Sequence, residues 1–156
     1  MRKIKLFNEE NKPNLKEKEQ IVNFLFHHLE NFGDAKQDIE KVVNFALKEG
    51  PSFGGFVLQS FENEDTACVV VVNKTGMKGY IPENILVYIA THHDMRGKGI
   101  GKEMMLKALE TAEGNVALHV EPDNPARYLY EKIGFTNKYL EMRYLKNSNG
   151  IYHTKC

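Results

Sequence analysis

The sequence predicts an α/β (α+β) fold, a mixed sheet with helices packed on both of its faces. Three observations carry that expectation. Apolar residues switch between strand and helical spacing in the order β-α-α-β-β-β-α-β-α-β. Residues 84–120 read as strand, helix, strand, the pattern of a right-handed parallel crossover. Residues 55–73 read instead as two strands around a short turn, which run antiparallel. At 156 residues the chain has the size of one domain, residues 1–156, whose core needs no staples.

The elements follow in order. Ile4 and Leu6 alternate with charges, a short first strand. Leu15, Val22, Leu25, Phe26, Leu29 and Phe32 recur at helical spacing, and Gly33 stops that helix. A second helix begins at Asp34, where Asp34 and Gln37 have capping-box spacing. Ile39, Val42, Val43, Ala46 and Leu47 form its apolar face, and Gly50-Pro51 end it. Residues 55–61 and 66–73, rich in Phe and Val, pair across Glu62-Asn63-Glu64-Asp65. Residues 84–90 are so largely apolar that this strand is expected to be buried on both faces. After a glycine-rich loop, Ile100, Met104, Met105, Ala108, Leu109 and Ala112 mark a helix that stops at Gly114. Residues 116–120 form a five-residue strand. Residues 125–133 form a short helix with Asp123 or Asn124 as cap, Pro125 in its first turn and Gly134 past its last. Leu140, Met142 and Tyr144 alternate with Glu141 and Arg143, a half-buried closing strand.

Charge and composition narrow the function classes. Lys plus Arg and Asp plus Glu both number 21, so the net charge is zero, unlike the basic footprint of a nucleic-acid binder or a membrane-surface protein. The balance hides an asymmetry, because residues 95–107 carry Arg96, Lys98, Lys102 and Lys107 against Glu103 alone. The longest apolar run, residues 67–72, is too short to span a bilayer, and no signal core follows the basic start. Cys68 and Cys156 form no disulfide framework and lack metal-ligand spacing. The expectation is a cytoplasmic protein, monomer or homodimer, with neither nucleic acid nor membrane as partner.

The loop Arg96-Gly97-Lys98-Gly99-Ile100-Gly101 lies between an apolar strand and a helix, which makes it an anion site. The first amides of a helix have no partner within it, the helix dipole favours negative charge there, and glycine admits close approach of a phosphate. Two phosphate motifs are excluded by spacing. Gly101-Lys102 is followed by Glu103 where a P-loop requires Ser or Thr, and neither Lys102 nor Met104 supplies the third glycine of G-x-G-x-x-G.

The loop matches R/Q-x-x-G-x-G/A and so resembles the acetyl-CoA pyrophosphate loop of the GNAT superfamily of N-acetyltransferases. A second stretch, Asn124-Pro125-Ala126-Arg127-Tyr128-Leu129-Tyr130-Glu131-Lys132-Ile133-Gly134-Phe135, resembles that family's N-x-A-x-x-L-Y-x-x-x-G-F segment. The resemblance implies a GNAT-like, mostly antiparallel sheet with one parallel crossover, and acetyl-CoA as cosubstrate. It implies that the amides of Arg96, Gly97, Lys98, Gly99, Ile100, Gly101 and Lys102 hold the pyrophosphate. It further implies that the pantetheine arm pairs with Ile89, Ala90 and Thr91, that Asn124 touches the cofactor, and that Tyr130 stands beside its sulfur.

The chemistry sets its own demands. A phenol titrates near ~10 and a thiol near ~8.5, so Tyr130 is protonated at neutral pH and can act as general acid toward a departing thiolate. The base is open among Glu83, His119, Glu121 and water. The pairs His27-His28 and His92-His93 are read as no metal site, because adjacent side chains diverge and lack ligand spacing. Neither cysteine is a candidate for a covalent intermediate, Cys68 sitting in an apolar strand and Cys156 being the last residue. The expected activity is direct acetyl transfer to an amine of a small molecule or peptide. A catalytically inactive CoA-binding regulatory domain is the alternative, and an interaction module would leave both motifs to coincidence.

Overall fold

The computed structural model describes residues 2–146 and 152–153. Five strands, β1 (Lys3–Phe7), β2 (Gly55–Glu62), β3 (Asp65–Lys74), β4 (Asn84–Thr91) and β5 (Val116–Ala117), form one sheet in that spatial order. All neighbours run antiparallel except β4 and β5, which run parallel around the crossover helix α3 (Ile100–Thr111). Helices α1 (Leu15–His28) and α2 (Lys36–Leu47) precede β2, and α4 (Ala126–Ile133) follows β5. A two-residue hairpin of β6 (Leu145–Lys146) and β7 (Tyr152–His153) stands apart from the sheet. Among the described residues no helix is long and apolar enough to cross a membrane.

The sheet is a sandwich filling with a core on each face. On one face Phe7, Val57, Val69, Val71, Tyr88 and Ala90 meet Ile21, Leu25, Ile39, Val43 and Leu47 of α1 and α2. On the other, Phe56, Leu58, Cys68, Val70, Val72 and Leu86 meet Ile100, Met104, Met105 and Ala108 of α3 and Tyr130 of α4. The strand buried on both faces is β3, from Thr66 to Val72, and not β4, where buried and half-buried residues alternate. The reason is position: β3 sits mid-sheet under helices on both sides, whereas β4 borders the short β5.

Other boundaries depart from the sequence expectation for local reasons. The capping box belongs to α1, where the Asn14 side chain accepts from the Glu17 N–H and Glu17 reaches back to the Asn14 N–H. Helix α1 ends at His28, and residues 30–32 form a single tighter turn. Asp34 caps nothing; its carboxylate accepts the Tyr88 hydroxyl and pins the α1–α2 connection to β4. Lys48, with φ of 55°, ends α2 before Gly50 is reached. The expected closing strand is absent: residues 140–144 have no regular structure, and Leu140 and Met142 are 82% and 89% exposed.

Candidate active site

The site forms where β4 ends. A bulge between the pairs Val71–Tyr88 and Val72–Leu86 inserts Val87 as an extra residue into β4. Because strand side chains alternate, one extra residue exchanges the faces beyond it. Leu86 packs on the α3 side, Val87 and Tyr88 both turn to α1 and α2, and Ile89 returns to the α3 side. The bulge therefore directs Ile89 and Thr91 toward the helix that carries the glycine loop. Thr91 confirms the direction, since its hydroxyl lies 3.7 Å from Cys68 Sγ and 3.5 Å from where a Cβ on Gly101 would sit.

A gap opens on the other edge of β4. Among the described residues β5 pairs with β4 only at Asn84–Val116 and Ile85–Ala117. Beyond it Leu118 and Val120 pack against the α3-side core, and the two strands part. From Leu86 to Thr91 the flank of β4 that faces β5 thus has no strand beside it. Such an edge offers backbone N–H and C=O groups for an extended, amide-bearing ligand.

The glycine loop leads from this edge into α3. Gly97 and Gly99 hold φ of 82° and 80°, a conformation that only glycine adopts without strain, and Gly99 is the residue before the first turn of α3. The first turn then presents amides with no partner inside the helix. Lys98 and Lys102 are exposed around it. Arg96 is not free in the same way: Nη2 donates to the His28 carbonyl at 2.9 Å, and Nη1 lies 3.3 Å from Glu30 Oε1. It clamps the loop to the end of α1. Arg2 does the same from below, bridging Glu62 at the end of β2 and Glu103 in the first turn of α3.

Helix α4 closes the opposite wall. Asn124 accepts the Ala126 N–H through Oδ1 at 2.9 Å, and Pro125 sets φ of −62° for the turn that follows. Leu129 lies 3.7 Å from the Cβ position of Gly101. Tyr130 is 8% exposed, packs 6.0 Å from the Phe135 ring, and burial pushes its hydroxyl up to about 12. It stays protonated at any physiological pH. Burial likewise pushes the Cys68 thiol up to about 12, which removes it as a nucleophile.

The sequence-based base candidates separate by position. Glu83 precedes β4 at the end away from the loop, about 25 Å from Thr91 along the strand. Its carboxylate accepts the Gly79 N–H at 3.1 Å and the Asn115 N–H at 2.7 Å, and these bonds hold its pKa below the ordinary carboxylate value. Glu83 staples two loops at the end of β4 away from the glycine loop. His119 lies beyond β5, exposed, on the parting segment that forms the far wall of the gap. Glu121 follows it and is also exposed.

The two histidine pairs meet in the fold. His27 and His28 end α1, His92 and His93 follow β4, and the fold brings the four rings together, with centroids 4.3 to 5.5 Å apart. Spacing along the chain concealed this, because the pairs lie in separate elements that meet only in the fold. No sequence signal identified the bulge or the Arg96 clamp either.

Comparison with known proteins agrees with this geometry. Residues 54–137, more than half of the chain, match the family model described as an acetyltransferase (GNAT) domain. The chain belongs to the GNAT acetyltransferase family. The match spans β2 through α4 and so contains β4, the glycine loop, β5 and Tyr130. Solved structures of the GNAT type share the fold at low identity. A ribosomal-protein-alanine N-acetyltransferase from Brucella melitensis biovar Abortus 2308 is 20% identical over 92% of this chain and 97% of its own, with a TM-score of 0.60. A predicted acetyltransferase from Clostridium acetobutylicum, solved with acetyl-CoA, is 16% identical over 92% and 96%, at 0.64. An aminoglycoside acetyltransferase from an uncultured soil metagenomic sample, in complex with sisomicin, is 15% identical over 94% and 95%, at 0.62. No curated protein sequence matches the chain.

Proposed function

We propose that this GNAT protein transfers an acetyl group from acetyl-CoA directly to an amine of a small molecule or peptide. The observation that carries the reading is the gap between β4 and β5, which opens directly beside the glycine loop. Its unpaired edge fits the peptide-like pantetheine arm, with Ile89, Ala90 and Thr91 as pairing residues. The amides from Arg96 to Lys102, at the start of α3, fit the pyrophosphate. Asn124 orders the first turn of α4, and in this reading its side chain also touches the cofactor.

The chain's residues then have defined tasks. A backbone N–H of the Ile89–Thr91 stretch donates to the carbonyl oxygen as negative charge grows on it. Tyr130 gives its proton to the departing sulfur while the amine nitrogen forms the new bond to carbon. His119, Glu121 or water takes the proton that the amine sheds. Direct transfer is supported by Cys68, whose burial and raised pKa disfavour an acyl-cysteine route through it. The chain acts as a single domain in this reading.

Thermal melting with acetyl-CoA tests the reading first. At about a hundredfold excess over its dissociation constant, ligand adds about 2.7 kcal/mol. For this size that raises Tm by roughly 5 to 10 °C. No shift refutes it. A panel of amines, read by release of free CoA thiol, then separates a transferase from a regulatory domain that only binds.

A further inference from the structure

The four histidines lie outside the reacting groups and the clamp, yet their arrangement has its own chemistry. Helix α1 turns by about 100° per residue, so two adjacent residues in its last turn can both reach a third group placed between them. His93 is that group. One ring nitrogen each from His27, His28 and His93 lie within 4.8 Å of one another. His28 is buried, while His27 and His93 open to solvent, which gives the cluster a fixed floor and an entry path.

The ring nitrogens lie close to one another and to polar groups. The backbone N–H of His93 donates to His28 Nδ1 at 3.2 Å, so this nitrogen carries a lone pair. His93 Nε2 lies 3.4 Å from Asp94 Oδ1, and a proton on Nε2 leaves a lone pair on Nδ1. The two Nδ1 atoms then face each other at 3.1 Å. At that distance a proton on His93 Nδ1 makes an N–H···N hydrogen bond, whereas with the proton on Nε2 the two lone pairs can share a cation. A tetrahedral zinc with Zn–N near 2.0–2.1 Å sets its ligand nitrogens about 3.3 Å apart, close to this spacing. The Asp94 carboxylate behind His93 is the outer partner that a metal-bound imidazole commonly has.

We propose that His27, His28 and His93 form a binding site for one divalent transition-metal ion, with zinc as the best-matched ion and a fourth position open to water. Borderline-soft imidazole donors favour this class over magnesium or calcium. His92 lies outside this group of three, and its Nδ1 accepts the Asp94 N–H at 3.1 Å. The site ties the end of α1 to the turn after β4, at the same junction where Arg96 binds the His28 carbonyl. It does not depend on acetyl transfer.

The test uses the full chain without an affinity tag, stripped with chelator and titrated with zinc chloride against a chromogenic competitor. One zinc per chain is expected. At about a hundredfold excess over its dissociation constant, zinc raises Tm by roughly 5 to 10 °C. H27A and H93A remove exposed rings and leave the fold, checked by circular dichroism; each weakens zinc binding by at least about tenfold. H92A keeps it within about threefold, less than the loss from an outer-shell partner. X-ray absorption of the loaded protein shows imidazole ligands. Absence of stoichiometric binding overturns the site, and so does binding that H27A leaves intact while H92A and D94A abolish it. Equal affinity in every variant also overturns it, as adventitious surface binding.

Discussion

Substituting Gly101 separates the fold from the cofactor cleft. Gly101 lies in the first turn of α3 and is absent from the left-handed positions, unlike Gly97 and Gly99. A Cβ there meets Thr91 Oγ1 at 3.5 Å and Leu129 Cδ2 at 3.7 Å, ordinary contact distances. Gly101→Ala therefore fits. Alanine is favoured over glycine in a helix by up to about 1 kcal/mol, so Tm holds or rises by roughly 2 to 4 °C. Gly101→Leu adds three more carbons in the direction of Thr91 and Leu129, between the end of β4 and α4. Overpacking a filled space costs about 1–3 kcal/mol. If that space belongs to acetyl-CoA, the cost falls on the bound state alone, and the dissociation constant rises about 5- to 150-fold. Calorimetry with acetyl-CoA and a melting curve on the same sample read both quantities. Leucine that binds acetyl-CoA like the wild type, with Tm unchanged, refutes the assignment of this cleft. Leucine that lowers Tm by the full amount without ligand refutes it too, because the space is then core.

Two further substitutions separate chemistry from structure. Tyr130→Phe keeps the buried ring and removes the proton, so turnover falls by about 10², the size of a general-acid contribution, while acetyl-CoA affinity changes little. Turnover at the wild-type level would assign the proton to another donor. Glu83→Gln lowers Tm at neutral pH because one of the two loop amides at Gly79 and Asn115 loses its acceptor, yet kcat stays within about threefold, far below a catalytic base's effect. The sign with pH is fixed. Glu83 has a folded pKa below its ordinary 4.5, so its stabilisation is complete above that value and is lost as pH falls through the folded pKa. The Tm difference between wild type and Glu83→Gln therefore shrinks below pH 4.5, and a constant difference would show that the carboxylate's charge is not what matters.

What the residue pattern revealed and what it hid divide along a physical line. Periodicity reports which side of an element faces apolar neighbours, so the two helices before β2, the β2–β3 pair and the crossover from β4 through α3 were all readable from Val22, Val69 or Met104. Periodicity says nothing of where regularity breaks, and the site is made of breaks. One inserted residue at Val87 turns Ile89 and Thr91 to the α3 side. A strand that stops at Ala117 leaves the flank of β4 unpaired beyond Ile85. Two glycines at positive φ aim α3 at the opening. Each break costs local sheet or helix regularity, and together they leave an unpaired strand edge beside a glycine-rich helix start. The failed strand expectations are therefore informative. Residues 116–120 carry an apolar run because Leu118 and Val120 pack against α3 and α4 while their backbone leaves the sheet, so the same side chains that suggested a longer β5 are the ones that hold the gap open. The motifs could be read only because glycine, asparagine and tyrosine at fixed offsets mark such breaks directly. The histidines carry no such mark, since their grouping depends on the end of α1 meeting the turn after β4, a contact between elements 65 residues apart.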